Sequence, residues 1–167
     1  MKKLINLVEQ WSIDRNLHEA NPIKQYDKLI EEYGELVKGL NKNDKNLIKD
    51  SIGDMLVVMI IMMQQIKGDM DLAVELSKFG EDKANTVNYV KSLSILGGKL
   101  EGFTSDKTNG DLFSEVQAMI SNIIYLLKQT AADHNMDLIT CLNAAYDEIK
   151  DRKGKMIDGK FVKESDL

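Results

Sequence analysis

Nine apolar residues stand in a row at Met55–Met63, MLVVMIIMM. The run is about half the length a bilayer-spanning helix needs. It reads as a core helix, and a helix that is apolar all round must be buried all round, so it should be central. The rest of the chain suits that role. It has one proline, Pro22, and 6% aromatic residues, which favours helix over strand. Its 167 residues are enough for one compact domain with a real core. The expected fold class is all-α, an antiparallel bundle of about five to six helices in a single domain spanning 1–167.

Apolar spacing places a first helix over 2–17, through Leu4, Ile5, Val8, Trp11 and Ile13. Asn21-Pro22 reads as the start of a second, with proline in the first turn. NKND (41–44) is a turn, and a third helix covers about 45–67. A short helix near 71–78, then helices over 85–102, 112–134 and 137–152, follow. The tail KGKMIDGKFVKESDL is expected to form a hairpin over its Asp-Gly pair or a flap. The organisation is an acidic hairpin (22–67), a scaffold hairpin (about 85–134) and a closing basic helix (137–155). A faint internal repeat sets Leu29, Gly34 and Leu36 opposite Leu93, Gly98 and Leu100, and Asp54 opposite Asn122. Glu31, Glu32 and Glu35 fall opposite Ile95, Leu96 and Lys99, so the second copy lacks the acids.

The acids are the functional signal. KLIEEYGEL carries Glu31, Glu32 and Glu35, and KDSIGDM carries Asp50 and Asp54 at the mouth of the apolar run. At 100° per residue, Glu31 and Glu35 share a helix face, as do Asp50 and Asp54. A short turn makes the two helices antiparallel neighbours, so four or five carboxylates are expected to converge. Such a cluster is costly without a compensating cation. All-oxygen ligands suit Mg²⁺, with Mn²⁺ as the alternative. The bland counterpart is a solvated face in which Lys28 and Lys38 answer the glutamates.

These residues resemble the MazG-like all-α nucleoside triphosphate pyrophosphohydrolases, whose motif is Glu-Glu-x-x-Glu, a spacer, then Glu-x-x-Asp. The resemblance covers mainly 8–66, and DLITCLNAAYDEIKDRKGKM is similar to the family's closing helix. It implies a Mg²⁺-dependent hydrolase splitting the α–β anhydride of a (deoxy)nucleoside triphosphate. By the same resemblance Glu32, Glu35 and Asp54 are metal ligands, and Glu31 or Glu32 positions the water. Ser51 stands where the family has the second motif's glutamate; either Asp50, one turn from Asp54, substitutes for it, or Ser51 holds a metal-bound water. The family also contains dimeric dUTPase-like enzymes with an acidic hairpin beside a degenerate one. A homodimer or higher homo-oligomer is therefore expected. The alternative is a degenerate bundle that binds a nucleotide or protein partner without turnover.

A triphosphate needs further cations, and Lys150, Arg152 and Lys153 are the candidates, with Asp147 as a polar contact. Trp11 is the candidate for stacking the base and Gln25 for reading its edge. The net charge of -5 argues against a polymeric nucleic-acid partner. The start MKKLINLVEQW is interrupted by Glu9 and Gln10 and is not expected to be a signal peptide. A lone cysteine, Cys141, reads as a small buried residue, and a cytoplasmic location without a membrane partner is expected.

Overall fold

A computed structural model describes residues 1–157 and 160–164 of the chain. Among them are seven α-helices: α1 (Lys2–Ile13), α2 (Pro22–Lys42), α3 (Lys45–Gln65), α4 (Met70–Leu76), α5 (Thr86–Ser105), α6 (Gly110–Asp133) and α7 (Leu138–Ile149). Two 3₁₀ turns lie at Leu17–Glu19 and Ser77–Phe79, and two strands, β1 (Gly154–Ile157) and β2 (Lys160–Lys163), end the described chain. The fold is all-α in class, and its seven described helices include the short α4 expected near 71–78, which Asp69 caps through the Leu72 N–H. The first helix stops at Ile13 rather than near 17, because Asn16 turns into the left-handed region with φ 55°.

Capping chemistry sets the acidic hairpin. The Asn21 side chain accepts from the Ile23 N–H at 3.0 Å, and Pro22 opens α2 with its fixed φ. Asn43 ends α2 in the left-handed conformation, φ 51°. Asp44 then caps α3 by accepting from the Asn46 and Leu47 N–H groups. So short a connection leaves α2 and α3 antiparallel and in contact along their length.

Every residue from Met55 to Met63 is buried, and α1, α2, α6 and α7 pack around α3. Burying one such Leu, Ile or Met side chain stabilises by about 1.5–3 kcal/mol, so this helix organises the core. No helix among the described residues is long and apolar enough to cross a membrane.

The hairpin α5–α6 stands beside α2. Tyr26 Oη donates to the Leu93 carbonyl at 2.9 Å, and Tyr33 Oη to that of Thr86 at 3.3 Å. Asn122, opposite Asp54 in the internal echo, donates to Ser92 Oγ at 2.9 Å, and Leu96, opposite Glu32, is fully buried. Hydrogen bonding and apolar packing thus stand in this hairpin where charges stand in the other.

Helix α7 lies along α3 because Gly53 allows it. A Cβ at Gly53 would sit 2.4 Å from the Cys141 carbonyl oxygen and 2.8 Å from the Ala145 Cβ. Cys141 is buried as expected, and burial pushes its thiol up to about 11. Beyond α7, β1 and β2 pair antiparallel from Gly154↔Lys163 to Ile157↔Lys160. The Asp-Gly turn expected between them lies outside the described residues.

Candidate active site

Glu32 and Asp54 face one another across the α2–α3 hairpin, in a groove whose far wall is the C-terminal turn of α7. Glu32 is a buried charged residue of α2, 5% exposed. Its Oε1 lies 2.7 Å from Lys28 Nζ, one turn earlier, and Lys28 also reaches Glu31 at 3.1 Å. Asp54 is partly buried near the middle of α3. Burial first, then the Glu32 and Glu148 carboxylates, push it up to about 7, while Arg152 and Lys28 pull it back. Ala145 packs on Gly53, so Glu148, almost one turn further along α7, comes beside Asp54. Glu148 is in turn paired with Arg152. Burial works against the charge of Lys28, but the Glu32 and Glu31 carboxylates outweigh it and hold Lys28 above its ordinary value.

The backbone that carries Arg152 is clamped. Arg15 donates to the Arg152 carbonyl at 2.8 Å, and Trp11 Nε1 donates to the Ile149 carbonyl at 2.8 Å. The Arg15 guanidinium lies 4.5 Å over the Trp11 ring, and Phe161 meets that ring edge-on at 5.5 Å. α1 and the terminal hairpin thereby hold the end of α7 against the groove.

The wider convergence expected from the sequence is not present. Among the described residues no three His, Cys, Asp or Glu side chains lie close enough together to hold one metal ion. Glu35 and Asp50 are exposed, Asp50 with 54% of its side chain in solvent, and so is Glu31 at 62%. Nearer the hairpin tip a carboxylate keeps its hydration at no cost, and only Glu32 and Asp54 turn inward. Asp50 points to solvent and does not join Asp54 in a three-ligand cluster among the described residues. Ser51 is fully buried with no partner for its hydroxyl among the described residues.

The expected substrate contacts divide. Arg152 belongs to the groove. Trp11 offers no free stacking face, because its indole is committed to Ile149, Arg15 and Phe161 and is 7% exposed. Asp147 and Lys150 pair with each other at 2.7 Å on the exposed side of α7, away from Asp54. Asn143 and Lys150 hold Asp147 below its ordinary value, with Lys150 the larger influence. Lys153 is exposed and lines a shallow depression with Glu148 and Arg152. Gln25 is buried on the Glu32 face of α2, about 10 Å nearer the helix start. Two groove residues were missed by the spacing argument. On spacing alone Lys28 reads as a partner on a wet face, and Glu148 carries no motif. The i,i+4 spacings Lys28–Glu32 and Glu148–Arg152 were the available signals.

A cavity of about 690 Å³, lined by His18, Gln65, Phe103, Lys107 and Phe113 among others, lies at the other end of the hairpin. It is about 15 Å along α2 and α3 from the carboxylates and contains none of them.

The described fold is an all-α bundle with the acidic pair Glu32 and Asp54 on one hairpin and the cations Lys28 and Arg152 beside it. The model of the MazG nucleotide pyrophosphohydrolase domain matches residues 21–77, the segment that carries Lys28, Glu32 and Asp54. An uncharacterized 18.2 kDa protein from the rep-hol intergenic region of Haemophilus phage HP1 (strain HP1c1) is 35% identical over 166 residues, covering 87% of this chain and 97% of that protein. The chain carries a MazG nucleotide pyrophosphohydrolase domain over residues 21–77. No solved structure matches it.

Proposed function

We propose that the protein hydrolyses a (deoxy)nucleoside triphosphate to the monophosphate and pyrophosphate. The observation that carries the reading is the inward pair Glu32–Asp54 with Lys28 and Arg152 on either side. Charge of both signs in one partly buried groove is what an anionic phosphate chain and its attacking water require. Lys28 and Arg152 are placed to bind phosphate oxygens. Glu32, shielded from bulk water, orients the attacking water and accepts its proton. Glu31 is too exposed for that role.

The divalent ion implied by the family does not fit a ready-made protein cage here, since no three ligand side chains meet. The donor chemistry fits Mg²⁺ in another way: it is commonly held by one or two carboxylates plus substrate phosphates, and Glu32 and Asp54 supply two. When bound, the ion would neutralise charge on the phosphates.

The test is pyrophosphate release from a panel of (d)NTPs with Mg²⁺ or Mn²⁺, beside Asp54→Asn. Turnover by the wild type and none by the variant supports the reading. The buried Ser51 at a motif glutamate position favours a second one, nucleotide binding without turnover. Analogue binding with no release from any nucleotide would select it. A homodimer or higher assembly, and which base is taken, are further proposals that size measurement and the same panel address.

A further inference from the structure

Each carboxylate that flanks Asp54 is already matched by a cation four residues along the chain, Lys28 within α2 and Arg152 just past the end of α7. Lys28 answers Glu32 at 2.7 Å, and Arg152 answers Glu148. The two pairs differ in exposure and in how they are tied down. The Arg152 backbone is tied to Arg15 and its side chain is 23% exposed. The Lys28 side chain is 47% exposed, and only its tip meets the buried Glu32 carboxylate. The Lys28 ammonium therefore has both a reason to stay and room to leave.

We propose that Lys28 is an exchangeable counter-ion. It occupies the Glu32 carboxylate until a metal-bound nucleotide arrives, then yields that oxygen and turns to the phosphates. The divalent ion then binds more tightly with the nucleotide than before it. This rests on the reading of the groove as a nucleotide site. Three features argue for it. Among the described residues the protein has no three-ligand seat for an ion on its own. Glu32 is held at its Oε1 by a charge that both competes with a dication and repels it. A lysine tip is a compact cation with three donors, which binds a phosphate oxygen as readily as a carboxylate.

The experiment is calorimetric titration of wild type, Lys28→Met and Lys28→Arg with Mg²⁺ or Mn²⁺ alone, and then with a non-hydrolysable α,β-imido dNTP panel in the same metal. Circular dichroism melts establish that each variant is folded. Releasing a charge-assisted hydrogen bond is worth about tenfold in affinity. Lys28→Met is therefore expected to bind metal alone about tenfold more tightly than wild type, and the analogue about tenfold more weakly. Lys28→Arg should keep the wild-type pattern.

Opposite changes for the two ligands are the signature, because a merely distorted groove would lose both. Equal affinity of wild type and Lys28→Met for metal alone overturns the proposal, as does a parallel loss of both ligands. If no analogue binds any of the three proteins, the pyrophosphohydrolase reading fails. The metal-alone comparison still decides whether Lys28 guards Glu32.

Discussion

Lys28 and Glu32 are joined at 2.7 Å across one turn of α2, yet 47% of the lysine side chain is exposed and only 6% of the glutamate's. The pair is therefore asymmetric in what its loss leaves behind. Lys28→Met strands a buried carboxylate and should cost about 1–3 kcal/mol at pH 8. Glu32→Gln frees a lysine that can swing into water and should cost under about 1 kcal/mol. Urea midpoints of the two variants measure this, and equal losses would refute the asymmetry.

Asp54 gives the fold a pH dependence of known sign. Its folded-state pKa is about 7 against an ordinary 3.8, chiefly because it is buried. Between those values the folded chain holds a proton that the unfolded chain has released. Its contribution to stability is therefore full at low pH, declines as pH rises from about 4 to about 7, and is level above. Asp54→Asn removes the ionisation. The variant's stability relative to wild type should climb across that window, reaching a gain on the order of a few kcal/mol at pH 8, while pyrophosphate release is lost. A difference between the two proteins that stays constant from pH 4 to 8 would be the contrary result.

Ser51 has a fully buried hydroxyl with no partner among the described residues. Removing an unsatisfied buried polar group is neutral or stabilising. Ser51→Ala should leave the melting temperature unchanged or raise it, with a gain of up to about 1 kcal/mol. Ser51→Glu restores the family's motif but puts a carboxylate into a closed space, and a loss above about 3 kcal/mol is expected. Thermal melts of the two variants side by side decide it. A Ser51→Glu protein as stable as wild type would mean that the position opens to the groove.

Trp11 donates to the Ile149 carbonyl and braces the end of α7. Trp11→Phe loses that hydrogen bond and should cost about 1 kcal/mol or slightly more. KM for the nucleotide should not move, since the ring has no free face. A raised KM with unchanged stability would instead make Trp11 a base-stacking residue.

Close approach explains which site residues could be read from spacing. Glu32 and Asp54 sit on one sequence-local hairpin, and helical period plus a short turn is enough to oppose them. Glu35 and Asp50 obey the same period and still remain outside, because the hairpin tip is open to water and nothing draws them in. Glu148 reaches Asp54 only because Gly53 lets the Cys141 and Ala145 backbone of α7 lie against α3. That contact joins segments almost ninety positions apart, and no local pattern encodes it.

Local pattern alone is enough for the helical class, the central place of Met55–Met63, the helix start at Asn21-Pro22, the turn at 41–44 and the acidic hairpin. Each is a matter of nearest neighbours: periodicity, turn chemistry and the need to bury an apolar run. Packing of the whole bundle sets which carboxylates face inward, that the Trp11 indole contacts Ile149, Arg15 and Phe161, and that Lys28 and Arg152 lie beside the acidic pair. Those outcomes depend on how water is excluded where three helices meet, and solvent exclusion is a property of the packed bundle, not of any one helix.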